Sequence, residues 1–237
     1  MINIKNISEL NFVDTNQGLR IGANTPLSRI IREEKVKIKY SALYEGIMSM
    51  AAPAIRNMGT MAGNLGNASP AADTVPPLIA YGAEVKLQSK RGEHTVLVED
   101  LITGVGKTIM KPNELITEII IPEINKNTGS AFLKKSRVKA DLSKINLAIY
   151  LEREGNICKD CKIVFGSVAI KVLRAEKTEN LLKEQIVNSE LINKVAEKAS
   201  CEIKPIDDIR STAEYRIAMS KEMFKDGFEL AWARAKD

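Results

Sequence analysis

Histidine occurs once in this chain, at position 94, and cysteine three times, at 158, 161 and 201. A structural zinc or iron–sulfur site needs four ligands, usually in two closely spaced pairs. Cys158-Lys-Asp-Cys161 supplies one pair, so it reads as incidental or as a redox thiol pair, and no metal site is expected. An odd number of cysteines suits a reducing cytoplasm better than a disulfide framework. His94 follows Lys90-Arg91-Gly92 with no cysteine or second histidine near, and reads as a solvated turn residue. Aromatic residues make up only 5% of the chain, which argues against a stacking platform for nucleic acid. No apolar run is long enough to span a bilayer, and the opening MINIKNISEL lacks a secretory pattern.

The 237 residues, 44% hydrophobic and 27% charged, suffice for one large domain or two small ones with a real core. The net charge of +5 favours anionic partners, but both signs are mixed along the chain without a basic block. The most unusual stretch is residues 51–73, AAPAIRNMGTMAGNLGNASPAAD, with three glycines, three asparagines and one cation. Side chains this small build little core, but they let a ligand come close to backbone N–H groups, in a concavity that favours anions such as phosphate. A tight structural loop fits the same composition. Pro76-Pro77 then opens a predicted helix, LIAYGAEV, which Asp73 or Thr74 is placed to cap.

Along the chain, residues 18–23 read as a half-buried strand and 24–34 as a helix with Leu27, Ile30 and Ile31 on one face. Residues 41–52 form a second helix, with Leu43, Ile47 and Met50 inward, stopped by Pro53. Strands at 84–88 and 95–98 pair as a hairpin around Arg91-Gly92, and 114–122, ELITEIIIP, is an apolar strand closing the first unit. Residues 124–129, INKNTG, read as a linker. Beyond it, strands at 131–137, 145–151 and 157–168 form an antiparallel meander with a turn at 154–156. Helices follow, one striped by Leu191, Val195 and Ala199, the last by Ile217, Phe224, Phe228 and Ala231. The second unit is therefore α+β.

The stretch IRNMGTMAGNLGNASPAADTVPPLIAYGAEVKL closely resembles the second flavin-binding segment of the FAD (medium) subunits of molybdenum hydroxylases, whose pattern runs IRN-x-GT-x-GGN and then SPAAD-x-x-P-x-L. Ala62 stands where the first glycine of the pair belongs, a replacement that strains any backbone of positive φ. GLRIGANTPLSRI, AFLKKSR, FGSVAIKVLRAEKTE and IDDIRSTAEYR resemble further family segments in matching order. The resemblance implies an α+β protein: a PCMH-type FAD-binding domain over 1–124, then a C-terminal flavoprotein domain over 130–237. It implies FAD as cofactor, with Thr60, Ala62, Gly63 and Asn64 at the pyrophosphate, their backbone N–H groups meeting its oxygens. Asp73 would accept hydrogen bonds from the ribitol or a neighbouring polar group. Leu115 and Ile116 would give apolar contact to the ring, with Lys134 near it and Met50 and Ser69 at the same site. It also implies partner subunits that carry iron–sulfur clusters and molybdopterin, with NAD or another electron acceptor. An assembly subunit that keeps the fold without flavin is the alternative. The family's first glycine-rich loop, AGGT(D/N)L, belongs upstream of the point where this sequence starts. A chain with only the second loop is expected to hold FAD weakly by itself.

Overall fold

The computed structural model describes residues 3–235. The first half runs β1 Val13–Asp14, β2 Leu19–Gly22, α1 Leu27–Ile30, α2 Glu34–Lys39, α3 Ser41–Ser49, α4 Pro53–Met58, α5 Met61–Asn67 and α6 Val75–Ala80. It continues with β3 Glu84–Ser89, β4 Gly92–Leu97, α7 Val98–Leu101, β5 Ile102–Gly104, β6 Lys107–Thr108 and β7 Leu115–Ile121. The second half holds β8 Thr128–Lys135, β9 Ile145–Glu154, β10 Ile157–Gly166, β11 Leu173–Arg174, α8 Glu176–Leu182, β12 Gln185–Ile186, α9 Ser189–Glu202 and α10 Ala213–Arg234.

Two antiparallel sheets organise the molecule, in the orders β1-β2-β7-β3-β4 and β11-β10-β9-β8, with β12 on the outer end of β10. β9 reads INLAIYL because both faces of its sheet are covered, and a strand buried twice is continuously apolar rather than alternating. Register divides its residues between two cores. Phe132, Ala148 and Val164 lie side by side on the face turned to α3, α6 and the first sheet. Ala131, Ile149 and Ile163 lie side by side on the face covered by α9 and α10. A chain of hydroxyls crosses the seam: Tyr81 and Ser130 share a 2.6 Å hydrogen bond, and Ser130 and the half-buried Ser41 one of 2.9 Å.

Several sequence expectations change in detail. Of the helix expected over 24–34 only Leu27–Ile30 is helical; Glu33 is extended, and a separate helix, α2, begins at Glu34 and runs on to Lys39. Pro53 does not merely stop a helix. Helix α3 ends at Ser49, Ala51 takes φ +41°, and Pro53 starts α4, its fixed φ suiting a first helical turn. Thr128 and Gly129, assigned to the linker, belong to β8. His94 is exposed as expected, but it sits in strand β4 opposite Leu87, not in the turn. Phe224, Phe228 and Ala231 of the expected stripe on the last helix are buried, but Ile217 is 38% exposed, because the first turns of α10 direct Arg216 and Ser220 inward instead.

Candidate functional site

The glycine-rich stretch is mostly helical. Thr60 caps α5, its hydroxyl accepting the Gly63 N–H at 3.0 Å while its carbonyl accepts the Asn64 N–H at 3.1 Å. Met61 and Leu65, one turn apart, are buried and anchor this short helix to the core. The other faces of α5 carry Ala62, Gly63, Asn64, Gly66 and Asn67, and they border two cavities. Ala62 is helical, without the positive φ that would make alanine a strained choice.

On one side lies a groove of about 760 Å³. Gly59, Thr60, Ala62, Gly63 and Gly66 form one wall, and Leu115 and Ile116 of β7 stand in another. A Cβ on Gly63 would lie 3.2 Å from the Thr60 hydroxyl, and one on Gly66 would meet nothing within 4 Å. The absent side chain of Gly66 is thus open groove. Ile116 is buried and Leu115 is 37% exposed, so the groove has an apolar side as well as a backbone side.

On the other side is a smaller cavity of about 250 Å³, where Met50, Asn64, Ser69 and Asp73 meet Asp141 and Leu142. Nine of the ten residues singled out from sequence thus line cavities on two faces of one helix, and the tenth, Lys134, lines neither and touches the smaller one only through Asp73. Asp73 and Thr74 do not use their side chains to cap α6. The Thr74 hydroxyl donates to Asn64 Oδ1 at 2.6 Å. The buried Asp73 carboxylate receives Lys134 Nζ at 2.6 Å and Asn146 Nδ2 at 2.8 Å. Lys134 also donates to the Ser49 carbonyl at 3.0 Å. Burial pushes the Asp73 pKa above the ordinary carboxylate value, against the opposing pull of Lys134 and Asn146. Lys134 is committed to this pair, which ties β8 to the segment before α6. Sequence reasoning missed Gly66 and Asn146. Read as a helix, the stretch places Gly63 and Gly66 three apart on one face, and that spacing was the available signal.

A further cavity of about 570 Å³, between Tyr44, Tyr150 and Arg234, contains none of the sequence-derived residues. Cys158 and Cys161 are both buried beside each other on β10, and the hydrogen bond with the neighbouring Cys158 thiol, together with burial, pushes the Cys161 pKa up. The Cys161 thiol, held protonated in this way, is a packing group rather than a nucleophile. Among the described residues no cluster of histidine, cysteine and carboxylate suits a metal, and no helix is long and apolar enough to cross a membrane.

The family described as the FAD binding domain in molybdopterin dehydrogenase matches residues 1–124, and the CO dehydrogenase flavoprotein C-terminal domain matches residues 130–231. The chain belongs to the FAD-binding medium subunits of the molybdenum hydroxylases. Such subunits are oxidoreductase components that act within a complex, and FAD is their cofactor. The carbon monoxide dehydrogenase medium chain of Hydrogenophaga pseudoflava is 29% identical over 99% of this chain and 82% of that protein. The glyceraldehyde dehydrogenase medium chain of Sulfolobus acidocaldarius is 30% identical over 97% of this chain and 82% of that protein. The xanthine dehydrogenase FAD-binding subunit of Escherichia coli O157:H7 is 26% identical over 99% and 82%. The solved carbon monoxide dehydrogenase of H. pseudoflava superposes with a TM-score of 0.92 at 29% identity, covering 97% of this chain and 80% of that one. The small residues of α5 leave room for a ligand such as a flavin dinucleotide beside its backbone, most openly at Gly66, where an added side chain would enter the groove.

Proposed function

We propose that this medium subunit holds FAD along the α5 groove and relays electrons from iron–sulfur clusters on a partner subunit to NAD+ or another acceptor. A molybdopterin-binding subunit completes the complex, which works in the cytoplasm. The observation that carries this reading is the open groove at Gly66, walled by the very residues that match the flavin-binding segment. FAD, when bound, supplies the electron and hydride chemistry, and the protein supplies position and electrostatics.

In this reading Thr60, Ala62 and Gly63 flank the diphosphate. Gly63 contributes the space of its missing side chain, since Thr60 already occupies its N–H. Leu115 and Ile116 give the flavin ring an apolar wall. Across α5, Met50, Asn64, Ser69 and Asp73 form the polar end of the site, with Lys134 and Asn146 fixing the Asp73 carboxylate. The test is flavin content, read from the absorption spectrum of the chain purified with its partner subunits. Gly66→Phe adds a ring to open groove on a helix that tolerates it, and Asn64→Ala removes the acceptor of the Thr74 hydroxyl. Both are expected to lower flavin content while leaving far-ultraviolet circular dichroism unchanged, and Cys158→Ser is expected to leave flavin content as it was. A wild-type complex that assembles without any flavin would instead support the scaffold role.

A further inference from the structure

The pair of strands β9 and β10 ends in a polar corner. Asn146 and Gly166 stand directly opposite each other, on the face that also carries Ala148 and Val164 and turns to the first half. Asn146 is fully buried, and its carboxamide lies over Gly166. A Cβ on Gly166 would fall 2.0 Å from Asn146 Oδ1 and 3.0 Å from its Cγ, closer than a side chain can come. Gly166 is not among the glycines of positive φ, so backbone conformation does not require glycine here. The Asn146 side chain does.

That side chain is turned one way. Nδ2 donates to Asp73 Oδ1 at 2.8 Å and to Ser143 Oγ at 3.1 Å, which leaves Oδ1 against Gly166 without a donor among the described residues. A buried acceptor left unpaired is unfavourable, and an apolar side chain of the same size would avoid it. Packing alone therefore does not account for an amide at this position, whereas the bond to Asp73 does. Lys134 holds the other carboxylate oxygen. A carboxylate turns easily about its last bond, and one donor on each oxygen, from different strands, stops that rotation.

The neighbours of Asn146 and Gly166 grip the same segment. Ser167, at φ +61°, donates its N–H to the Pro70 carbonyl at 2.8 Å. Ser143 Oγ donates to the Ala71 carbonyl at 3.3 Å, and the Ser143 and Ser167 hydroxyls lie 3.1 Å apart. The second half thus holds the backbone at Pro70 and Ala71 and the side chain at Asp73.

We propose that Gly166 is a positioning residue of the flavin site, acting through Asn146 to fix the Asp73 carboxylate toward the ligand. The assignment rests on the function proposed above. It adds that the polar end of the site is oriented from the second half, by a glycine that touches neither cavity beside α5.

The experiment measures flavin retention by absorption and fluorescence, and melting temperature, on the full chain in its complex with the partner subunits. Gly166→Ala is expected to displace the amide, lowering the melting temperature and weakening flavin retention by about tenfold or more. Asn146→Ala is expected to weaken retention to the same degree. In Gly166→Ala/Asn146→Ala the collision is gone. The double variant is expected to regain the melting temperature of Asn146→Ala but not the flavin, with no loss of retention beyond that of Asn146→Ala alone. A merely structural Gly166 predicts instead that flavin returns together with stability, and that result would overturn the proposal. So would wild-type retention in Asn146→Ala, which decides the matter by itself if Gly166→Ala does not fold. A wild-type complex that holds no flavin would overturn the functional reading itself, a failure visible without any variant.

Discussion

Asp73 and Lys134 form an ion pair in which both side chains are only 6% exposed. Breaking such a pair leaves one charge buried without its partner, which typically costs about 3–5 kcal/mol. Lys134→Met is expected to lower stability by that order in chemical denaturation. Asp73→Asn/Lys134→Met, which removes both charges, is expected to recover much of the loss. Asp208 titrates the other way. Burial raises its pKa, but hydrogen bonds from Arg210 and Arg216 prevail and hold it below the ordinary carboxylate range. A depressed carboxylate contributes stability that is present above its unfolded value near ~3.9 and is lost on acidification. The stability difference between wild type and Asp208→Asn is therefore expected to shrink as pH falls below about 4, measured by urea titration at successive pH values.

At the scale of elements, the meander of β8, β9 and β10 was legible because short apolar runs such as INLAIYL and IVF are bounded by turn formers, and Gly155 at φ +53° suits the turn. Helices α4 and α5 were not legible as helices. Small residues carry almost no apolar periodicity, and only Met61 and Leu65 mark the buried face. The candidate residues came from motif resemblance, which places residues in a site without saying which face of a helix each takes. That is why Asn64 and Gly63, adjacent in sequence, open onto different cavities. The packing of α10 on β8 gives a prediction of its own. A Cβ on Gly129 would sit 1.9 Å from the Ala231 carbonyl oxygen. Gly129→Ala must push the helix away, an overpacking cost of about 1–3 kcal/mol, expected as a lower melting temperature in calorimetry.

At the scale of the molecule, the link between the two halves runs through residues 122–127, which lie outside regular structure before β8 begins. Limited proteolysis is expected to cut there first. The two fragments are expected to elute together in native gel filtration, because Phe132, Ala148 and Val164 of the second half are part of the first core. Early cutting within 142–151, with the link intact, would count against this organisation. The central strand has another consequence. Since its alternate residues face opposite ways, a single amino acid inserted into β9 would exchange Ala148 with its neighbours Leu147 and Ile149 between the two interiors. Most strands of one exposed face absorb such a slip by sacrificing one side. This one has no side to sacrifice, so its reading frame is shared property, and the two halves can drift in sequence only while they agree on the parity of β9.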